Sequence, residues 1–256
     1  MLPEPRISDA VLSCVLPTEE NPFAALSASA ELEDTGKGRQ GAVLTRVDET
    51  GAVPLVRTTT RYRRPPQRFR AVHEELAVRV QECAGVPVGF NNALIERYTN
   101  AYRTMGGHSD QALDLADGSF IAVFSCYRDP DAGPPRKLVL ASKESGGDPF
   151  EIPLAQNSVV TFSLASNRRL KHRIVLDAPA QVAENPWLGV TFRTSKTLLR
   201  FGDGHARLPE GDRLAPADEE QAREFYRLRR RENDETDFVY PPLTYTVSES
   251  DLMPPV

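Results

Sequence analysis

Hydrophobic positions follow a helical period in one part of the chain. Between residues 66 and 85, apolar side chains recur at spacings of three and four: Phe69, Val72, Leu76, Val80 and Cys83. This spacing places them on one stripe of a helix. Because proline suits the start of a helix and glycine its end, we predict that the helix opens at Pro65 and Pro66 and ends at Gly85 and Pro87.

After residue 90 the pattern is typical of β-strands. Short runs rich in β-branched and aromatic residues are separated by Gly, Pro, Asp and Asn: 120–125, 137–141, 158–164, 173–176 and 188–193. Strands at such close intervals favour a sandwich or jelly roll. The charged segment 216–232 predicts an exposed helix, the stretch 34–41 predicts a loop, and the tail after Tyr240 predicts an extended arm or lid.

Composition narrows the class of protein. The 256 residues are 40% hydrophobic and 26% charged, with 31 Lys and Arg against 36 Asp and Glu, so the net charge is −5. This indicates a globular protein, and the acidic balance disfavours unspecific attraction to nucleic acid. With no apolar run of membrane-spanning length and no secretory pattern, a cytoplasmic location is expected. Cys14, Cys83 and Cys126 are too few and too irregularly spaced for a disulfide framework, and we interpret them as small buried hydrophobes.

Two of the four histidines stand in a pattern suited to a metal. His108 and Asp110 form an HxD pair, and His172 follows 64 residues later at the start of a strand. Two histidines and one carboxylate make up the facial triad of non-haem Fe(II) oxygenases. Taken alone, HxD is a weak signal and favours a surface-loop histidine beside a turn aspartate. His73 is predicted to be exposed on its helix, and His205 to lie in a turn.

The surrounding motifs resemble the AlkB-like Fe(II)/2-oxoglutarate dioxygenases. In order, the chain has Asn-Asn-Ala-Leu-Ile-Glu-Arg-Tyr ending at Tyr98, the HxD pair, His-Arg-Ile ending at Ile174, and Val-Thr-Phe-Arg ending at Arg193. The match in order and spacing covers about 105 residues.

The resemblance implies a fold of the α+β class, mainly β, with a double-stranded β-helix (jelly-roll) core and flanking helices. It implies that His108, Asp110 and His172 hold Fe(II), and that Arg193 and Tyr98, with Thr191 as a further candidate, bind 2-oxoglutarate. In this family the co-substrate is converted to succinate and CO2 while a substrate C–H bond is hydroxylated.

Several positions depart from the family pattern. Glu96 stands where an Asn is usual, and Trp187 where a second Arg is usual, so co-substrate binding must be completed by another residue. The candidates are Arg168, Arg169, Lys171 and Thr191. The base-reading acidic residue is replaced by Ala112, and the stacking aromatic by Arg61, with Tyr62 beside it.

The segment 57–70 carries the main evidence on substrate. It holds six arginines: Arg57, Arg61, Arg63, Arg64, Arg68 and Arg70. Such a run is either a solvated loop or a phosphate-binding segment. We predict a nucleotide-like or other phosphorylated small-molecule substrate, contacted by Arg57, Arg61, Tyr62, Arg63 and Glu96.

Two alternatives stay open. The first is an oxidative demethylase of single-stranded nucleic acid, in which Tyr62 and Phe69 stack on bases. The second is a non-catalytic β-sandwich binding module. The predicted division of the chain is an N-terminal extension packed on the core over 1–50, the jelly-roll domain over 51–200, and a C-terminal helix and tail over 201–256. No membrane contact is expected, and the oligomeric state is left undecided.

Overall fold

The fold, as given by a computed structural model, is built mainly from β-strands. The structure describes residues 10–86, 89–144, 148–178 and 183–256. The helices are α1 (Phe23–Ala28), α2 (Ala71–Ala84), α3 (Leu164–Arg169) and α4 (Glu219–Asp234), with a 3-10 helix at Glu249–Leu252. The first eight strands are β1 (Val11–Val15), β2 (Glu33–Gly36), β3 (Arg39–Thr45), β4 (Val53–Leu55), β5 (Gln67–Arg68), β6 (Asn92–Tyr98), β7 (Phe120–Tyr127) and β8 (Arg136–Ser142). The others are β9 (Phe150–Leu154), β10 (Ser158–Ser163), β11 (Leu170–Val175), β12 (Trp187–Arg193), β13 (Thr197–Gly202), β14 (His205–Arg207), β15 (Ala215–Pro216) and β16 (Tyr245–Thr246). The predicted mainly-β fold with flanking helices is confirmed.

Two sheets form the centre of the molecule. The large sheet has the order β1-β10-β7-β12-β6-β3-β2, with β5 beside β3, and the small sheet has the order β11-β8-β9. Neighbouring strands in both orders run antiparallel. Strands β1 and β3 come from the first fifty residues, so hydrogen bonds join that segment to the rest of the large sheet.

Each face of the large sheet covers a separate hydrophobic core. On β7, Ala122 and Phe124 belong to the core that includes α2, whereas Ile121 belongs to the core that includes the small sheet. Successive residues of a strand point to opposite faces, which explains the division. All five strand runs predicted after residue 90 are present.

The predicted helix is present as α2, but its start was placed wrongly. Residues 67–68 form β5 instead, and α2 runs from Ala71 to Ala84 and is followed by Gly85, whose φ of 62° is left-handed. The predicted Pro87 lies outside the described residues. His73 was expected to be exposed, and this is wrong, because α1 covers that side of α2. The His73 ring is buried, with Ser29 Oγ 2.6 Å from Nε2. Burial, with a smaller effect of Arg70, lowers the pKa of His73 to about 4.

The cysteines correct a second prediction. Cys14 on β1 and Cys83 on α2 form a disulfide with their Cα atoms 6.3 Å apart. They are 69 residues apart in sequence, so their spacing did not reveal that the edge strand passes the end of the helix. Cys126 is a buried free thiol, as predicted.

The segment predicted as a loop over 34–41 is a hairpin. Strands β2 and β3 pair there, and Gly36, Lys37 and Gly38 form the turn with positive φ angles of 88°, 56° and 78°. The turn-forming residues were therefore recognised, but the strands on both sides were not. The charged helix is present as α4, although Phe225 and Leu228 are buried on one face. Within the described ranges, no helix combines the length and the apolar character needed to cross a membrane.

Candidate metal centre

The HxD loop lies directly against β11. His108 and His172 exchange backbone hydrogen bonds, with N···O distances of 3.0 and 2.7 Å. Their rings are 4.6 Å apart between centroids. Asp110 Oδ1 lies 3.5 Å from His172 Nε2 and 4.0 Å from His108 Nε2. One candidate ligand atom from each of the three residues lies within 4.8 Å of the other two. The three side chains form a His-Asp-His metal-binding triad.

A single asparagine holds the main chain of the residue that carries the triad's carboxylate. Asp110 N donates to Asn167 Oδ1 and Asn167 Nδ2 donates to Asp110 O, both at 2.8 Å. Asn167 is buried on α3, immediately before β11, so the short helix connects the two halves of the triad. No pattern in the sequence pointed to Asn167.

The ionisation of the triad suits a metal. His108 Nδ1 lies 3.0 Å from Gly106 O, which can only accept, so Nδ1 carries the proton and Nε2 keeps its lone pair. Desolvation and the neighbouring His172 lower the pKa of His108 to about 4. Burial would raise the pKa of Asp110, but Arg193 and His172 hold it well below its usual range. At neutral pH the triad therefore offers a neutral His108 and an ionised carboxylate, as metal binding requires.

The triad lies in the wall of a cavity of about 370 Å³. Arg193 and Thr191, two of the predicted co-substrate residues, line this cavity. Arg193 is buried, and its Nε and Nη2 both lie 2.7 Å from Asp110 Oδ2. Tyr98 is not among the described residues that line the cavity; it is fully buried and donates to Glu96 Oε2 at 2.9 Å.

Glu96 connects Tyr98 to a second guanidinium that sequence reasoning missed. Arg39 on β3 lines the cavity and donates from Nε to Glu96 Oε1 at 2.6 Å and from Nη2 to Thr60 Oγ1 at 3.2 Å. Burial opposes its charge, but Glu96, Tyr98 and Tyr62 together outweigh that effect and raise the pKa of Arg39. Arg39 comes from the segment predicted as a loop, which is why it did not enter the predicted site.

Trp187 fills the strand position where a second arginine was expected. Its ring is buried 4.7 Å from the Tyr98 ring and covers Gly189, where a Cβ would collide with it. Four candidates for the missing arginine were proposed, and only Thr191 is among the described residues of the cavity wall. The other three lie in ion pairs: Arg168 with Asp117, Arg169 with Glu144, and Lys171 with Asp234.

The structure separates the predicted substrate residues into two groups. Arg57 and Glu96 line the cavity. Arg61 is exposed with its guanidinium 5.8 Å from the Tyr226 ring, and Arg63 is exposed beside Glu33. Tyr62 is buried, with its hydroxyl 2.7 Å from where a Cβ on Gly41 would lie. The structure therefore does not bring Arg61, Tyr62 and Arg63 to the triad, and their contact with substrate stays a prediction.

Helix α4 packs against the loop that carries the triad. Arg229 Nη2 donates to Ser109 O at 2.8 Å, and Asn233 Oδ1 accepts from Ser109 N at 3.0 Å. Glu232 Oε1 accepts from Ala112 N at 2.7 Å and also pairs with Arg229 through its other oxygen. In the sequence these residues looked like part of a solvated charged face, so their role was missed.

Comparisons with known proteins give structural neighbours only. No family model and no curated protein matches the chain. The chain is similar to the structure of OsALKBH1, with a TM-score of 0.49 and 14% identity over 72% of this chain and 96% of that one. It is also similar to an oxidoreductase of the 2OG-Fe(II) oxygenase family from Burkholderia pseudomallei, with a TM-score of 0.43 and 17% identity over 75% and 95% of the two chains. Because both TM-scores are below 0.5, we base the functional proposal on the triad and its cavity.

Proposed function

We propose that this protein is an Fe(II)/2-oxoglutarate-dependent dioxygenase with a double-stranded β-helix core. The observation that carries the proposal is the His-Asp-His triad in the wall of a cavity also lined by Arg193 and Arg39. The facing large and small sheets, whose strand orders are antiparallel with β5 added in parallel beside β3, support the jelly-roll assignment. In this proposal the jelly-roll domain over 51–200 shares its large sheet with β1, β2 and β3 of the N-terminal segment. The contacts of α4 with the triad loop support a covering role for the segment 201–256.

The donor set of the triad fits Fe(II). Two imidazoles and one carboxylate are the donor set of non-haem Fe(II) oxygenases, and His108, Asp110 and His172 would hold the ion here. When bound, the iron supplies the oxidising chemistry, in which 2-oxoglutarate is converted to succinate and CO2 and a substrate C–H bond is hydroxylated. The protein keeps the Asp110 carboxylate ionised and the His108 imidazole neutral. It also places Arg193 against Oδ2 of Asp110.

The cavity wall also fits the two carboxylates of 2-oxoglutarate. Each guanidinium has five N–H donors. Within the described part of the chain, Arg193 uses Nε and Nη2 on Asp110, and Arg39 uses Nε and Nη2 on Glu96 and Thr60. Donors on both guanidiniums therefore remain for a ligand, with Thr191 beside them. Tyr98 acts through Glu96, since its hydroxyl orients the carboxylate that holds Arg39.

Anaerobic titration with Fe(II) and 2-oxoglutarate tests the reaction class. The unsubstituted protein is expected to develop a weak visible charge-transfer band that requires both Fe(II) and 2-oxoglutarate. His172→Ala is expected to abolish the band, because it removes one of the three metal ligands.

His205→Ala is the matched control, since His205 lies on β14 outside the triad and should leave the band unchanged. An intact protein that gives no band would refute the dioxygenase proposal and favour the non-catalytic binding module.

For substrate, we propose a nucleotide-like or other phosphorylated small molecule. Part of the positive charge in 57–70 is neutralised within the protein, since Arg57 pairs with Asp114 and Arg64 with Glu31. Such pairing weakens a long-range attraction to a polyanion. The cavity is also small: about 370 Å³ is near the lower end of ligand pockets, which run from roughly 300 to 1,000 Å³.

Succinate release distinguishes this substrate class from single-stranded nucleic acid. We expect nucleoside monophosphates to stimulate succinate formation above the rate without substrate, and methylated single-stranded oligonucleotides to have little effect. His172→Ala provides the background for both arms. Stimulation by oligonucleotides alone would instead identify the demethylase.

A further inference from the structure

One buried amide in the cavity wall has no hydrogen-bond partner. Gln111 follows Asp110 directly, lines the cavity and is 6% exposed. Neither its Oε1 nor its Nε2 has a partner in the described part of the chain. Among the described residues the other buried glutamine is Gln67, which is 9% exposed and has a partner on each amide atom. Its Oε1 accepts from Glu31 N at 2.9 Å and its Nε2 donates to Glu31 O at 3.0 Å.

The contrast indicates a binding function for Gln111. Buried polar groups are almost always paired, because an unpaired donor or acceptor loses its hydration without compensation. An unpaired amide next to a metal ligand is positioned to form hydrogen bonds with a polar group of the substrate. Consecutive Cα atoms are about 3.8 Å apart, so a group bound by Gln111 lies next to the triad.

The chemistry of the amide selects the ligand. A phosphate or carboxylate satisfies only the Nε2 donor and leaves Oε1 unpaired. A planar edge that carries an acceptor beside an N–H donor satisfies both atoms at once, as glutamine does with a nucleobase. We propose that Gln111 recognises the edge of a nucleobase and so determines substrate specificity, an inference that rests on the proposed function.

Binding measurements test the recognition. The full chain with Fe(II) and 2-oxoglutarate is titrated anaerobically by calorimetry with the 5′-monophosphates of adenosine, guanosine, cytidine and uridine. Purine riboside 5′-monophosphate, which lacks the exocyclic group, is the comparison. We expect one base to bind at least about 10-fold more tightly than purine riboside, and Gln111→Met to remove that difference.

The same titration with single-stranded homo-oligonucleotides of the preferred base distinguishes two ligands. One is a free nucleotide and the other is a base within a nucleic acid. Discrimination that depends on Gln111 in either arm supports the proposal. Its absence from both arms, or its persistence in Gln111→Met, would overturn the proposal.

Thermal unfolding separates recognition from a structural role. Gln111→Met replaces an unpaired amide by an apolar chain of similar length, so the melting temperature is expected to rise by roughly 2–4 °C. Gln67→Met, the matched control, breaks two hydrogen bonds and is expected to lower it. If Gln111→Met lowers the melting temperature as Gln67→Met does, the residue is structural and the proposal is wrong.

The charge-transfer band in the same samples keeps the two proposals apart. A band without Gln111-dependent discrimination refutes only the role of Gln111. Absence of the band from the unsubstituted protein refutes the dioxygenase itself.

Discussion

Arg193→Met is expected to lower the free energy of unfolding of the metal-free protein by about 3–5 kcal/mol. The substitution leaves the buried Asp110 carboxylate without the guanidinium that now lies 2.7 Å away. Removing one partner of a buried ion pair is costly, because the remaining charge keeps its desolvation penalty. Urea unfolding in the presence of EDTA measures the loss.

A divalent metal should restore part of this loss. A cation held by the triad replaces Arg193 as the counter-charge of Asp110, so Mn(II) should stabilise Arg193→Met more than it stabilises the unsubstituted protein. A metal at about 100 times its dissociation constant adds about 2.7 kcal/mol to stability. Arg200→Met, on the exposed side of β13, is the control and should change stability little in either condition. Equal stabilisation of both proteins by Mn(II) would contradict a shared site at Asp110.

Arg57→Met is expected to cost a similar amount, about 3–5 kcal/mol, through a different part of the molecule. Arg57 donates to both oxygens of Asp114, at 3.0 and 2.8 Å, and to the carbonyls of Leu243 and Tyr245, at 2.8 and 3.1 Å. The side chains of Arg57 and Asp114 are 4% and 1% exposed, so solvent cannot compensate for the lost pair.

The loss should appear first in the C-terminal segment. Arg57 is a connection between the cavity wall and β16, and without it we expect faster amide hydrogen exchange in β15 and β16, together with the lower urea midpoint. Arg61→Met is the control, because Arg61 is exposed and contacts the ring and hydroxyl of Tyr226. If Arg57→Met and Arg61→Met have the same stability, the buried pair contributes nothing measurable.

The elements that the sequence predicted well are those with local patterns. Strands β7, β8, β10, β11 and β12 were found because β-branched and aromatic runs lie between turn residues. The end of α2 was found because Gly85 tolerates a left-handed φ. The start of α2 and the burial of His73 were not found, because β5 and α1 impose them from outside the helix.

The candidate site divides in the same way. His108, Asp110 and His172 were selected because their residue types and spacing fit one metal. Arg57 was assigned to substrate because it belongs to a run of positive charges. Such a run does not reveal which residues pair with it, and the buried partner of Arg57, Asp114, lies 57 residues away. Arg39 and Gln111 gave no pattern at all, since a single arginine or glutamine becomes noticeable only when its surroundings are known.

The backbone pairing of His108 with His172 has a consequence for how a metal enters and leaves. Reciprocal bonds between the main chains, with Asn167 holding Asp110, bring the ligands together through the protein itself. In zinc fingers, by contrast, the ion gathers its ligands and drives folding. A chelator should therefore remove the metal from a preformed site without unfolding the protein. Successive ions can then be exchanged while the protein stays folded.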